Sequence, residues 1–123
     1  MPAYEADLER FKGYDAQVLG ISVDSVPCNT AWAKSLGGLS YDLLGDFHPK
    51  GEVARAYGAK TTPDVFVLDA DSRLRYRGAP DSDYADPDQR AAWVRDALDA
   101  VLAGQEPGQA ETKPVGCSIK WKP

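Results

Sequence analysis

An α/β fold with a mixed central sheet is predicted for this 123-residue chain, on three observations. Helical and strand-length apolar patterns alternate along it, which points to helices packed on a sheet. Residues 64–69 and 74–78 then read as two strands joined by the turn chemistry of Asp69-Ala70-Asp71-Ser72-Arg73. Residues 87–103 close the pattern with the clearest amphipathic helix. The composition is that of a globular domain, 43% hydrophobic and 27% charged. A chain this long buries about two-thirds of its unfolded surface as one domain.

Each element has a local justification. Residues 3–12 predict a helix because Tyr4, Leu8 and Phe11 share one face, and Gly13 ends it. Residues 16–23 form an apolar run of strand length, suited to a buried parallel strand. Asp24 or Ser25 caps a helix running to about Leu36, with Pro27 in its first turn and Gly37-Gly38 after it. Tyr41 to Leu44 predict a short strand. Pro49 opens a short helix carrying Val53, Ala54 and Tyr57, which Gly58 stops. Pro63, after Thr62, opens the first strand of the two-strand pattern and is a candidate cis bond, since only an X-Pro bond makes that isomer cheap. Asp86 and Pro87 supply an N-cap and first-turn proline for the last helix, whose stripe is Val94, Ala97, Leu98, Val101 and Leu102. Residues 105–114 are polar, with glycine and proline, and predict a flexible linker. Residues 115–121 are too apolar for a simple tail. The division expected is a domain over 1–104 and a linker with a cysteine-bearing tail over 105–123.

Charge and composition remove several classes. A formal charge of −5 and a pI near 4.7 argue against nucleic acid and anionic membrane as partners. No run of about 18 apolar residues predicts a membrane span. Two cysteines are too few for a disulfide scaffold, and with no basic-then-apolar leader pattern the expected location is the cytoplasm. No glycine-rich phosphate cradle occurs. His48 beside Asp46 has no serine or cysteine to activate, so it reads as a loop histidine. Residues 81–88 lack the mid-loop glycine and terminal glutamate of a calcium loop, and helix capping explains their aspartates better. The three tryptophans read as packing residues.

Three stretches resemble a known family. Residues 2–11, Val18 to Ser25 and Ala31-Trp32-Ala33 are similar to the helix, strand and next helix of the thioredoxin-fold peroxiredoxins, the alkyl hydroperoxide reductase and thiol-specific antioxidant group. Residues 43–49 and 51–58 continue the match. From Thr61 onward, the Thr-Pro before the hairpin and the Gly-Cys-Ser-Ile-Lys-Trp ending resemble a thioredoxin-like branch. The resemblance implies a thioredoxin-like α/β sandwich, truncated at its N-terminus, because the family has a strand and a cysteine-bearing turn before the helix at 3–12. It also implies thiol chemistry on a peroxide or disulfide, with a thiol electron donor and no metal, flavin or nucleotide. Thr61, Thr62 and Pro63 would then offer backbone groups to an extended substrate. Peroxiredoxins usually carry an arginine near that point, where this chain has threonines.

Two thiols remain as candidate catalytic residues. Cys28 falls in the first turn of a predicted helix, where unpaired N–H groups and the macrodipole favour a thiolate, while Asp24 opposes it. The thioredoxin-like topology would set Cys28 on the same sheet edge as Pro63. The alternative is a small apolar residue facing the core. Cys117, between Gly116 and Ser118, suits a resolving thiol. Its alternative is a docking segment in which Val115, Ile119 and Trp121 pack on the body. Whether the two thiols pair is decided by geometry. A reading of another class also stands: a non-catalytic thioredoxin-fold interaction module, forming a homodimer or binding a peptide through an exposed sheet edge.

Overall fold

The computed structural model describes residues 15–121 apart from 84, 85, 87 and 89, so the helix expected at 3–12 lies outside the described residues. What it describes is an α/β arrangement of six strands and three helices. Strand β1 (Leu19–Ser22) leads through helix α1 (Val26–Ser35) to β2 (Asp42–Gly45). A parallel pair needs such a crossover, and β1 and β2 pair in parallel with Leu19 opposite Asp42 and Ser22 opposite Gly45. Helix α2 (Glu52–Tyr57) follows, then β3 (Thr61–Thr62), β4 (Val65–Leu68) and β5 (Leu74–Gly78). Helix α3 (Ala92–Leu102) and β6 (Cys117–Ser118) complete the described chain.

The hairpin forms as its residues predict. Val65 lies opposite Gly78 and Val67 opposite Tyr76, with an irregularity between Val67 and Leu68. Asp69 closes the turn with one carboxylate oxygen, which accepts from the N–H of Asp71 (2.9 Å) and Arg73 (3.0 Å). Its other oxygen takes the Arg75 guanidinium at 3.0 Å. Those backbone donors, first that of Arg73, hold the Asp69 carboxyl below its ordinary value despite some desolvation.

Four expectations change. The described strands make three two-stranded pairs, β1–β2, β3–β6 and β4–β5, instead of one mixed sheet. Pro63 does not open β4 but lies between β3 and β4. Pro49 stands ahead of α2, whose cap residue is Gly51. Helix α3 starts at Ala92, later than residue 87, so Asp86 is not its cap. Asp81 takes that work: its Oδ2 accepts from the N–H of Ala92 (3.1 Å) and Arg90 (3.2 Å). A carboxylate brought back from eleven residues upstream satisfies the first N–H of the helix, that of Ala92.

The core lies where α3 covers the hairpin. Tyr41, Val67, Tyr76, Ala91, Val94 and Ala97 are buried together, with Val18, Leu43, Val65, Leu98 and Val101 packed around them. Tyr76 and Pro80 are the largest fully buried side chains. Residues 110–112, within the stretch read as a linker, run beside β5. The Arg77 N–H donates to Ala110 O (3.0 Å), and the Thr112 N–H donates to Arg77 O (3.0 Å). Thr112 Oγ1 accepts from the Ala79 N–H at 3.0 Å and lies 2.8 Å from the Tyr76 hydroxyl. By contrast Leu19 and Ile21 of β1 are half exposed, although strands of a parallel pair are ordinarily covered on both faces.

Candidate functional site

The first thiol sits where its local sequence puts it. Ser25 takes an extended backbone conformation ahead of α1, and its Oγ accepts from the Cys28 N–H at 3.4 Å. Pro27 in the first turn costs nothing there, since its missing N–H would have no helical partner. The Cys28 side chain is exposed, so it does not face the core. The neighbouring Asn29 is the buried residue of this helix. Its Oδ1 accepts from Ser22 Oγ at 3.0 Å, tying α1 to the end of β1, while its Nδ2 finds no partner among the described residues.

The second thiol lies on a different element. Strands β3 and β6 pair antiparallel, with Thr61 opposite Ser118 and Thr62 opposite Cys117. One residue further, the Ile119 N–H donates to Lys60 O at 3.0 Å. The Thr62–Pro63 bond is cis, as is His48–Pro49. Thr61 Oγ1 donates to Pro63 O (2.9 Å), and the Lys60 N–H donates to Asp64 Oδ2 (3.0 Å), which brace the loop from both sides. Gly116 makes the close approach possible. A Cβ there would stand 2.3 Å from Thr62 O and 3.1 Å from Pro63 Cδ, so any side chain would push the tail off the loop. Cys117 is a free, exposed thiol.

The strand register therefore places Cys117 opposite Thr62 beside Thr61 and Pro63, whereas Cys28 belongs to helix α1. Among the described residues β1 pairs only with β2. Both cysteines are free, so no disulfide joins them.

Three residues that sequence reasoning gave no place in the site also belong to this end of the fold. Trp121 lies on Gly51, whose missing side chain leaves room that a Cβ 2.9 Å from Trp121 Cζ3 would fill. The Arg55 guanidinium lies over the same ring, 5.0 Å from its centroid. The alternative reading of the tail, in which Val115, Ile119 and Trp121 pack on the body, anticipated docking by Trp121 without naming Gly51 or Arg55. The platform beneath is fixed by Asp46, which is buried and whose carboxylate accepts from the N–H of Val53 (3.1 Å) and Ala54 (2.9 Å). Asp46 thus caps α2. A shallow concavity of about 150 Å³ between α3 and Pro107–Gly108 includes none of these residues. No cluster of three histidine, cysteine or carboxylate side chains suited to a metal occurs among the described residues.

Comparison with known proteins bears on the family of the chain. The family model described as the AhpC/TSA family matches residues 1–77. Alkyl hydroperoxide reductase E of Mycobacterium tuberculosis is 41% identical over 75 residues, covering 56% of this chain and 48% of the relative. The chain thus spans about half the length of the mycobacterial relatives it matches. A hypothetical protein of Sinorhizobium meliloti superposes with a TM-score of 0.78 at 30% identity, covering 98% of this chain and 69% of that one. An uncharacterized conserved protein of Geobacillus kaustophilus superposes at 0.69 with 31% identity, over 87% of this chain and 60% of its own.

Proposed function

Because this chain belongs to the AhpC/TSA family and is peroxiredoxin-like, we propose that it is a thiol-redox protein that reduces a peroxide or a disulfide through its cysteines. The observation that carries the reading is the register of β3 and β6, which holds Cys117 opposite Thr62 beside Pro63. In the peroxide reaction the Cys117 thiolate attacks the O–O bond. The sulfur becomes a sulfenic acid and the other oxygen leaves as an alcohol or water. A second thiol then condenses with the sulfenic acid, forming a disulfide and releasing water. Cys28, exposed in the first turn of α1, is the second thiol this chain offers. An external dithiol restores both by exchange. With a disulfide as oxidant, Cys117 attacks one sulfur and expels the other as a thiolate. Thr61, Thr62 and Pro63 serve to position Cys117 and what reacts with it. No helix of the described residues is long and apolar enough to cross a membrane, and the cytoplasm, where thiols stay reduced, suits this chemistry.

The test is intact mass under non-reducing conditions after titration with dilute peroxide or a small disulfide. Wild type should gain a sulfenic adduct, an internal disulfide or a mixed disulfide, and Cys117→Ser should gain none at the tail. Two unmodified thiols that survive excess oxidant would overturn the assignment. The half-exposed Leu19 and Ile21 favour a second reading, an interaction module that pairs or dimerises through β1. A strictly monomeric species at high concentration in sedimentation would remove it.

A further inference from the structure

We propose that Trp121 is a positioning residue for Cys117, seated on Gly51 and Arg55 so that β6 stays registered on β3. The assignment rests on the proposed thiol chemistry for its purpose, but not for its geometry. Two residues of strand pairing are too few to hold a chain segment by themselves, because each net hydrogen bond is worth little against the entropy of ordering. The segment from Gly116 to Trp121 must therefore be anchored beyond its two-residue strand. At its start Gly116 lies against the Thr62 carbonyl, a contact that permits approach without supplying an anchor. At its end the Trp121 ring supplies one.

The seat is built for a flat ring. Gly51 has φ +76, a conformation that L side chains rarely adopt, and a Cβ there would meet the ring at 2.9 Å. The six-membered part of the ring thus lies close against bare backbone. The Arg55 guanidinium lies over the ring as well, a cation–π contact from a side chain one turn along α2. The seat does not yield readily, since the Gly51 N–H donates to Asp46 O (3.0 Å) and the Asp46 carboxylate caps the helix that carries Arg55. Three residues separate Trp121 from Cys117, and the Ile119 N–H bonds to Lys60 O between them. Fixing Trp121 therefore limits how far Cys117 can leave Thr62, and freeing it releases the thiol from the loop.

The experiment compares the full chain with Trp121→Ala and Trp121→Phe. Amide exchange at Ile119 reports whether β6 is docked, with amides of α1 and α3 as controls for the fold. The rates at which Cys117 and Cys28 exchange with a small aromatic disulfide report the consequence. In Trp121→Ala, Ile119 should exchange on the order of tenfold faster with the controls unchanged. The ratio of Cys117 to Cys28 rates should also move, and Trp121→Phe should restore both. Unchanged Ile119 exchange in Trp121→Ala, or a phenylalanine variant as fast as the alanine one, overturns the proposal. If Ile119 accelerates while Cys117 is inert in wild type as well, the positioning stands and the thiol-redox reading falls. Should Trp121→Ala also lose protection in α3, Arg55→Gln decides: exchange at Ile119 a few-fold faster supports the seat, and no change overturns it.

Discussion

Thr112→Val tests whether residues 105–114 are part of the folded body, using a substitution of nearly equal shape. Thr112 Oγ1 is the side-chain acceptor for the Ala79 N–H at 3.0 Å, and Ala79 is wholly buried. The same oxygen lies 2.8 Å from the hydroxyl of Tyr76, which is 1% exposed. Valine keeps the volume and removes the oxygen. The Tyr76 hydroxyl retains Ala79 O as an acceptor, so the loss concentrates on the Ala79 donor. A buried donor left without a partner costs about 1–3 kcal/mol. Taking about 2 kcal/mol, a domain of this size should melt roughly 8 °C lower. Urea titration should show a lower midpoint with an unchanged slope, which marks lost stability without a change in compactness. Thr112→Ser keeps the oxygen and should recover most of the difference. A valine variant within about 0.5 kcal/mol of wild type would refute the reasoning, because surface substitutions stay inside that range. It would mean that water replaces the hydroxyl and that this stretch is only loosely laid on β5.

Two further predictions concern charge. Asp81→Ala should cost about 1 kcal/mol, as loss of a helix cap does, and should fray the first turn of α3 in amide exchange. Burial works to raise the Asp81 carboxyl, but the N–H groups of Ala92, Ser82 and Arg90 outweigh it and hold it below its ordinary value. That stabilisation is present above the ordinary carboxylate range and is lost as pH falls through the depressed folded value, so Asp81→Asn should flatten the acid limb of a stability–pH curve. Tyr76 moves the other way: burial raises its hydroxyl above 10.0, with Thr112 partly offsetting it. Above pH 10 the unfolded chain loses this proton first, so stability should fall with rising pH, and Tyr76→Phe should show a shallower decline in alkaline urea titrations.

Much of the fold was legible in the residues because local chemistry decided it. Ser25 with Pro27 started α1, and Gly58 and Gly104 ended helices at left-handed positions, as helix-terminal glycines do. The hairpin followed from its alternation and from Asp69, whose carboxylate folds the turn on itself. The start of α3 was misplaced for the complementary reason. Asp86 had the right local signature, but Asp81 reached the Ala92 N–H of the helix across the intervening loop. Leu102, on the expected apolar stripe, ends 48% exposed at the last turn of α3, so periodicity alone overextended the buried face.

For the candidate site, the sequence by itself determined which groups could react and which loop could receive them. Two cysteines, one proline after two threonines, and an apolar tail are all visible without coordinates. The tertiary structure alone decided the pairing that sets Cys117 opposite Thr62 beside Pro63. That pairing depends on contacts more than fifty residues apart: Gly116 on the Thr62 carbonyl, Ile119 on Lys60, and Trp121 against Gly51 and Arg55. Caps and turns are written in neighbouring residues because their hydrogen bonds close within a few positions. A strand pairing two distant segments leaves no such local mark, since its register is selected by steric fit and packing after the chain has folded back.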